Sequence, residues 1–138
     1  MAEKRLTKEI AKQFLADVES VALSKFNVLV STAAEVLSNH WGDLFLDGLK
    51  SLSDSAAKHL SQHYGFLHLD GLTELSDAAA ESLGKHEWKL SLNGLTSLSD
   101  AAAESLVKHE GELELHLDEG DLYLALGQLR ESAAEILR

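Results

Sequence analysis

The sequence predicts an α/β fold, a right-handed β/α solenoid with a parallel sheet on its concave side and helices on its convex side. Three observations predict it. A 23-residue unit recurs along the chain, leucines alternate with other residues at the start of each unit, and a turn and a helical segment follow. Because strands lie about 4.8 Å apart and packed helices need about 8–10 Å, stacked units must splay on their helical side.

The repeat is clearest in four histidines and in the leucines that follow them. The histidines His40, His63, His86 and His109 are spaced 23 residues apart. The leucines in the same register are Leu44, Leu67, Leu90 and Leu113, followed by Leu46, Leu69, Leu92 and Leu115. An L-x-L alternation with period two predicts one short strand with one buried face in every unit.

Each predicted strand is followed by a turn and then by a helix. The turn dipeptides are Asp47-Gly48, Asp70-Gly71 and Asn93-Gly94, and glycine suits a positive φ directly after a strand. Ser53-Asp54 and its equivalents offer side-chain oxygens that cap a helix. Ala56, Ala57 and Leu60 give that helix a narrow apolar seam, and we expect it to end near His63 and Gly65.

A chain of 138 residues is predicted to form a single domain. Its predicted parts are an N-terminal helical cap over 1–20, repeats over 21–43, 44–66, 67–89 and 90–112, and a divergent C-terminal repeat over 113–138. In that last repeat, Asp118-Glu119-Gly120-Asp121 separates two alternating stretches. This pattern predicts a hairpin that covers the open edge of the sheet, a capping role that we favour over a functional one.

Composition excludes several classes of function. The formal net charge of −11 repels phosphate backbones and anionic lipid surfaces, so we expect no nucleic-acid or membrane partner. A basic protein partner is compatible with this charge, and so is acidity that serves only solubility. The chain has no cysteine, which excludes disulfides and thiolate sites. Without a signal-like or membrane-spanning stretch, a cytoplasmic location is expected.

The recurring Ser, Asp and His residues predict architecture and no catalysis. Zinc needs ligand atoms about 2.0–2.1 Å from one ion, whereas histidines of neighbouring units should lie about 5–10 Å apart. We therefore expect each histidine in the last helical turn, bonded to terminal carbonyls and favourably placed on the helix dipole. A Ser99, Asp100 and His109 set recurs in every copy, so it does not mark one catalytic centre. No catalytic, cofactor or metal-binding residue is predicted.

Residues that differ between copies are the candidate partner-binding residues. Those expected to project from the concave face are Asp43, Phe45, Asp47, Phe66, His68, Asp70, Lys89, Ser91, Asn93, Glu112 and Glu114. Phe45 and Phe66 beside His68 form the kind of apolar anchor that binding hot spots use. Equally, the two phenylalanines could pack against each other across neighbouring strands. The acidic C-terminal end, which includes Glu112 and Glu114, favours a solvated edge over a calcium site.

The repeat resembles the leucine-rich repeats, in particular bacterial-type 23-residue repeats of the cysteine-containing subtype, whose pattern is LxxLxLxxCxxITDxxLxxL. The residues that match this pattern in order are Leu44, Leu46, Leu49, Leu52, Ser53, Asp54, Ala57 and Leu60, with Leu49 at the cysteine position. The resemblance covers about residues 21–117. Similar proteins mostly bind other proteins on the concave sheet, and this is the function that the resemblance implies.

Two functions therefore remain open after the sequence analysis. The first is a non-enzymatic module that binds a protein or peptide on the concave sheet face, with Phe45, Phe66, His68 and Lys89 at the centre. The alternative is a structural or consensus-like repeat scaffold with no selected ligand, which the near-identity of GLTELSDAAAESL and GLTSLSDAAAESL favours. The oligomeric state is left undetermined.

Overall fold

The computed structural model describes residues 4–109 and 113–115, in which parallel strands alternate with helices. The elements in chain order are β1 (Arg5–Leu6), α1 (Lys8–Ala16), a 3₁₀ helix (Leu23–Lys25), β2 (Val28–Leu29), α2 (Ser31–Leu37), β3 (Leu44–Phe45), α3 (Asp54–Leu60), β4 (Leu67–His68), α4 (Asp77–Gly84), β5 (Leu90–Leu92), α5 (Asp100–Val107) and β6 (Leu113–Leu115). The predicted α/β class is confirmed.

Strands β3 to β6 form one four-stranded parallel sheet in chain order. Leu44 is paired with Leu67, Leu67 with Leu90, and Leu90 with Leu113, so the register equals the sequence repeat. The backbone amide of Leu67 donates to the carbonyl of Lys89 at 2.9 Å, and that of Leu69 donates to Ser91 at 2.9 Å. The sequence prediction of stacked parallel strands is therefore confirmed for β3 to β6.

The first predicted repeat departs from this arrangement. Strands β1 and β2 form a separate two-stranded sheet, so the described strands do not make the one continuous sheet that we predicted. By the repeat register, this unit should have a strand at 21–23. The chain forms the 3₁₀ helix Leu23–Lys25 there instead. Ser24 and Lys25 stand where later copies have Asp and Gly. A lysine there cannot form the close backbone contact between turns that glycine allows in the later copies.

One apolar core joins the sheet and the helices. Leu67 and Leu69 are buried on the strand side, and Ala79, Ala80 and Leu83 are buried on α4, as the predicted seam requires. The predicted caps are also confirmed, since the hydroxyls of Ser53, Ser76 and Ser99 accept hydrogen bonds from the amides of Ala56, Ala79 and Ala102. Helix α3 ends at Leu60, earlier than the predicted end near His63.

The turn glycines have a different role from the predicted one. Among the described glycines, only Gly42 and Gly65 have a positive φ, so the prediction of a positive φ after each strand is wrong. The Cα of Gly71 instead lies against the carbonyl oxygens of Asp47 and Leu49 in the preceding unit, and a Cβ there would overlap them. Glycine is needed because neighbouring turns approach backbone to backbone.

We expect the substitution Gly71→Ala to lower the free energy of unfolding by about 1–3 kcal/mol, because the new methyl group must push two units apart. Urea denaturation followed by circular dichroism measures this loss. Glu74→Ala, a substitution at an exposed position three residues away, should change the stability by about 0.5 kcal/mol or less. Equal stability of Gly71→Ala and the wild type would contradict the close approach.

Two sequence predictions concern residues outside the described ranges. The C-terminal hairpin around Asp118–Asp121 and the candidate site residue Glu112 both lie there. Within the described part of the chain, no helix has the length and apolar character needed to cross a membrane.

Candidate binding surface

The predicted site residues lie along the sheet face opposite the helices, which we call the open face. Among the described residues these are Asp43, Phe45, Asp47, Phe66, His68, Asp70, Lys89, Ser91, Asn93 and Glu114. Because strand side chains alternate between faces, the buried leucines at 44, 67 and 90 place their neighbours Phe45, His68 and Ser91 on this side. The open face is held together by contacts between these side chains.

The centre of the open face is a stack of three rings. The His68 ring lies between Phe45 and Phe66, with ring centroids 4.3 Å and 3.7 Å apart and interplanar angles of 21° and 13°. One of our two alternatives was that Phe45 and Phe66 pack against each other. In the structure each phenylalanine packs instead against the His68 ring, which separates them. Phe45 remains 50% exposed at one end of the stack.

A charged pair continues the stack at its other end. Lys89 Nζ lies 4.4 Å from the centroid of the Phe66 ring, a cation–π contact, and 3.0 Å from Oε1 of Glu114. The hydrogen bond and the charge of Lys89 lower the pKa of Glu114, with smaller contributions from Asn93 and Ser91. Lys89 and Glu114 are therefore engaged with their neighbours on the open face.

Ser91 does not project toward a partner as predicted, because it is fully buried. Its hydroxyl donates to Oδ1 of Asp70 at 2.5 Å and also lies 3.3 Å from Oε2 of Glu114. The longer side chains around it cover the short serine. Side-chain length is the physical reason for this error, since the alternation rule gives the direction of a side chain but not its exposure.

The aspartates of the open face connect one unit to the next. Oδ1 of Asp43 accepts a hydrogen bond from the amide of Phe66 at 3.1 Å, and Oδ1 of Asp47 accepts one from the amide of Asp70 at 2.9 Å. Oδ1 of Asp70 likewise accepts one from the amide of Asn93 at 2.8 Å. Three residues predicted for partner binding thus have a structural role in holding successive turns.

A second surface was missed by the sequence analysis. Trp41, Tyr64 and Trp88, which we call the aromatic row, lie side by side with ring centroids 5.6 Å and 6.3 Å apart. Their exposed fractions are 81%, 51% and 48%. A groove beside them is lined by polar residues that include Asn39, Gln62, Lys85 and Glu87. Trp41 and Tyr64 each directly follow a repeat histidine, whereas Trp88 comes two residues after His86. Because the three aromatic residues do not share one repeat position, the repeat pattern did not predict the row.

The four repeat histidines form a ladder of parallel rings behind the aromatic row. Successive ring centroids of His40, His63, His86 and His109 are 6.3, 5.8 and 5.9 Å apart, and interplanar angles are 14° or less. His63 and His86 are buried. They lie beyond the helix ends, so the prediction that places them in the last helical turn is wrong. Nε2 of His63 donates to the carbonyl of Gly42 at 2.5 Å, which is a loop carbonyl of the preceding unit.

Three histidines of the ladder, His40, His63 and His86, are weaker bases than an unperturbed histidine because their pKa values are lowered. Burial lowers the pKa of His40 and His63, and burial together with neighbouring His63 and His109 lowers the pKa of His86 to about 4. Neither ring nitrogen of His86 makes a hydrogen bond of good geometry with the described residues. His40, His63 and His86 are therefore packed in their uncharged form at neutral pH.

Comparisons of the chain with models of protein families, with curated proteins and with solved structures find no match.

Proposed function

We propose that the chain is a non-catalytic interaction module that binds a protein or peptide. In this proposal the units continue the leucine-rich-repeat pattern as a solenoid with a concave open face, and the protein acts in the cytoplasm. The residues that could suggest catalysis have structural partners: Ser99 caps α5, and His109 belongs to the histidine ladder. These uses support a binding role over an enzymatic one.

The observation that carries the proposal is the exposure of the aromatic row. Tryptophan and tyrosine dominate binding hot spots because they combine a large apolar surface with a polar atom. Three neighbouring exposed rings bordered by polar side chains have the anatomy of such a site, an apolar centre with a polar rim. We therefore place the main anchors in the aromatic row and not at the centre of the open face.

The open face is the second candidate surface for the same function. Phe45 supplies one exposed ring, but His68, Phe66, Lys89 and Glu114 contact one another. A partner would have to compete with these contacts or dock on top of them. The same pairing supports the scaffold alternative, in which the open face serves only stability.

Affinity enrichment from lysate of the source cell, read out by mass spectrometry, separates these alternatives. We expect wild-type protein to retain a partner that Trp41→Ala/Tyr64→Ala/Trp88→Ala loses, because the loss of even one hot-spot ring costs about 2 kcal/mol or more, equivalent to about 30-fold in affinity. Circular dichroism must show that both proteins are folded. The triple variant Phe45→Ala/Phe66→Ala/His68→Ala tests the open face in the same experiment.

Lys58→Ala/Glu81→Ala is the matched control, since both side chains are exposed on helices and neither lines the groove beside the row. It should retain the same partner as the wild type. A partner lost only by the open-face variant would move the binding site to the open face. Retention by all variants, or the absence of any specific partner, would reject the proposal and favour the scaffold.

A further inference from the structure

Among the residues that the structure describes, the open face holds a cluster of groups that can bind metal. One carboxylate oxygen each of Asp47 and Asp70 and one ring nitrogen of His68 lie within 4.8 Å of one another. All three residues are partly buried, so solvent and a dissolved ion can reach them. The stacked turns bring them together, because Asp47 and Asp70 hold equivalent positions in successive units and His68 precedes Asp70 by two residues on the same face.

The three side chains are held in place by other groups. Phe45 and Phe66 clamp the His68 ring on both faces, which fixes its plane and leaves its edge accessible. The two carboxylates are anchored through Oδ1 to the amides of the following units, at 2.9 Å for Asp47 and 2.8 Å for Asp70. Such support is what orients ligands in metal sites, since the atoms around a ligand decide whether its lone pair points at the ion.

Charge also favours a cation at this place. Two carboxylates lie side by side, and neither forms an ion pair with another residue in the part of the chain that the structure describes. Among the described residues no cationic side chain forms an ion pair that offsets their mutual repulsion, whereas Lys89 neutralises Glu114 farther along the sheet. A bound divalent cation would remove this repulsion.

We propose that Asp47, His68 and Asp70 form a binding site for one divalent transition-metal ion of the zinc class. One imidazole nitrogen and two carboxylate oxygens suit zinc, whereas calcium prefers six to eight oxygen ligands. At zinc–nitrogen and zinc–oxygen distances of about 2.0–2.2 Å, tetrahedral donor atoms lie about 3.4 Å apart, so donors that lie within 4.8 Å of one another must close by up to about 1.4 Å. Small shifts of the three partly exposed side chains, with the ring stack and the anchoring hydrogen bonds kept, supply this closure. Water would complete the coordination. This site does not depend on the proposed partner binding.

Isothermal titration of the full chain with zinc chloride at pH 7 tests the site. We expect one equivalent of zinc to bind the wild type. Binding should weaken by at least about tenfold in His68→Ala, because even changes in groups that only orient a ligand cost about 10–100-fold. Asp47→Asn/Asp70→Asn should weaken it similarly. These asparagines keep an oxygen that accepts the anchoring amide hydrogen bonds, so this variant loses ligand charge while retaining the fold.

His59→Ala is the matched control, because it removes a histidine from α3, away from the cluster, and should leave zinc binding unchanged. Cobalt(II) gives an independent readout, since its visible absorption in the wild type should disappear in His68→Ala. Failure of the wild type to bind zinc at millimolar concentration would overturn the proposal. Equal affinity of the wild type, His68→Ala and the asparagine variant would also overturn it.

Discussion

Acidification is expected to destabilise the protein through the histidine ladder, and His86 should contribute the largest part. The pKa of His86 is about 4 in the folded chain, against 6.5 for an unperturbed histidine. Between these values the unfolded chain binds a proton that the folded chain does not. The free energy of unfolding therefore falls by about 1.4 kcal/mol per pH unit as the pH decreases through this window.

The full contribution of His86 is present above pH 6.5 and is lost below about pH 4, a difference of about 3 kcal/mol. The substitution His86→Phe keeps a ring in the stack and removes the titration, at no cost in hydrogen bonds of good geometry within the described residues. Urea denaturation at pH 7, 6, 5 and 4 should show a loss of stability that is smaller by about 3 kcal/mol in this variant.

The control for this prediction is His59→Gln, which removes a partly exposed histidine from α3. Its pH profile should follow that of the wild type, including the share of the acid loss that comes from His40 and His63. If His86→Phe and the wild type lost the same stability between pH 7 and 4, the account of His86 as a buried, neutral member of the ladder would be wrong.

Adjacent residues of β4 should differ sharply in their effect on stability. Leu67 is fully buried between Leu44 and Leu90, whereas His68 lies on the open face. Leu67→Ala removes buried methyl groups and leaves a cavity, which typically costs 2–5 kcal/mol, and we expect about 3 kcal/mol or more here. His68→Ala removes the cross-strand ring contact with Phe45 and the ring contact with Phe66 two residues earlier, each of which contributes about 1 kcal/mol or less.

Urea denaturation of the two variants at pH 7 gives both numbers under one condition. Leu75→Ala is a useful third variant. Because Leu75 is only partly buried, this substitution should lower the free energy of unfolding less than Leu67→Ala does. Equal losses for Leu67→Ala and His68→Ala would contradict the assignment of the two faces of the sheet.

The parts of the fold that sequence predicted are those that repeat without change. The 23-residue register follows from leucines and histidines that must stack on their equivalents, and the serine caps follow from a local hydrogen bond. The first repeat was predicted less well. Val21 and Leu23 keep the apolar spacing of the later strands, but Ser24 and Lys25 replace the Asp-Gly of the turn, and the strand does not form there. A contact between turns depends on the backbone of two units, and leucine spacing does not report it.

The candidate surfaces show the same limit. Strand alternation placed Phe45, Phe66 and His68 on one face, and the structure brings them together. Alternation could not show that Ser91 is covered by its neighbours, or that Asp47 and Asp70 approach His68. The repeat pattern did not predict the aromatic row, because Trp88 is shifted by one residue from the position of Trp41 and Tyr64. The rings of Tyr64 and Trp88 are nevertheless in contact.

Site-specific photo-cross-linking is the most direct test of the claim that the aromatic row binds a partner. A benzoylphenylalanine replaces Tyr64 in the full chain in the source cell, and a second protein carries it at Lys58, an exposed position on α3. We predict a discrete cross-linked product at position 64 that is absent at position 58 and is lost when Trp41 and Trp88 are changed to alanine. Identical products at both positions, or none at position 64, would contradict the proposed function.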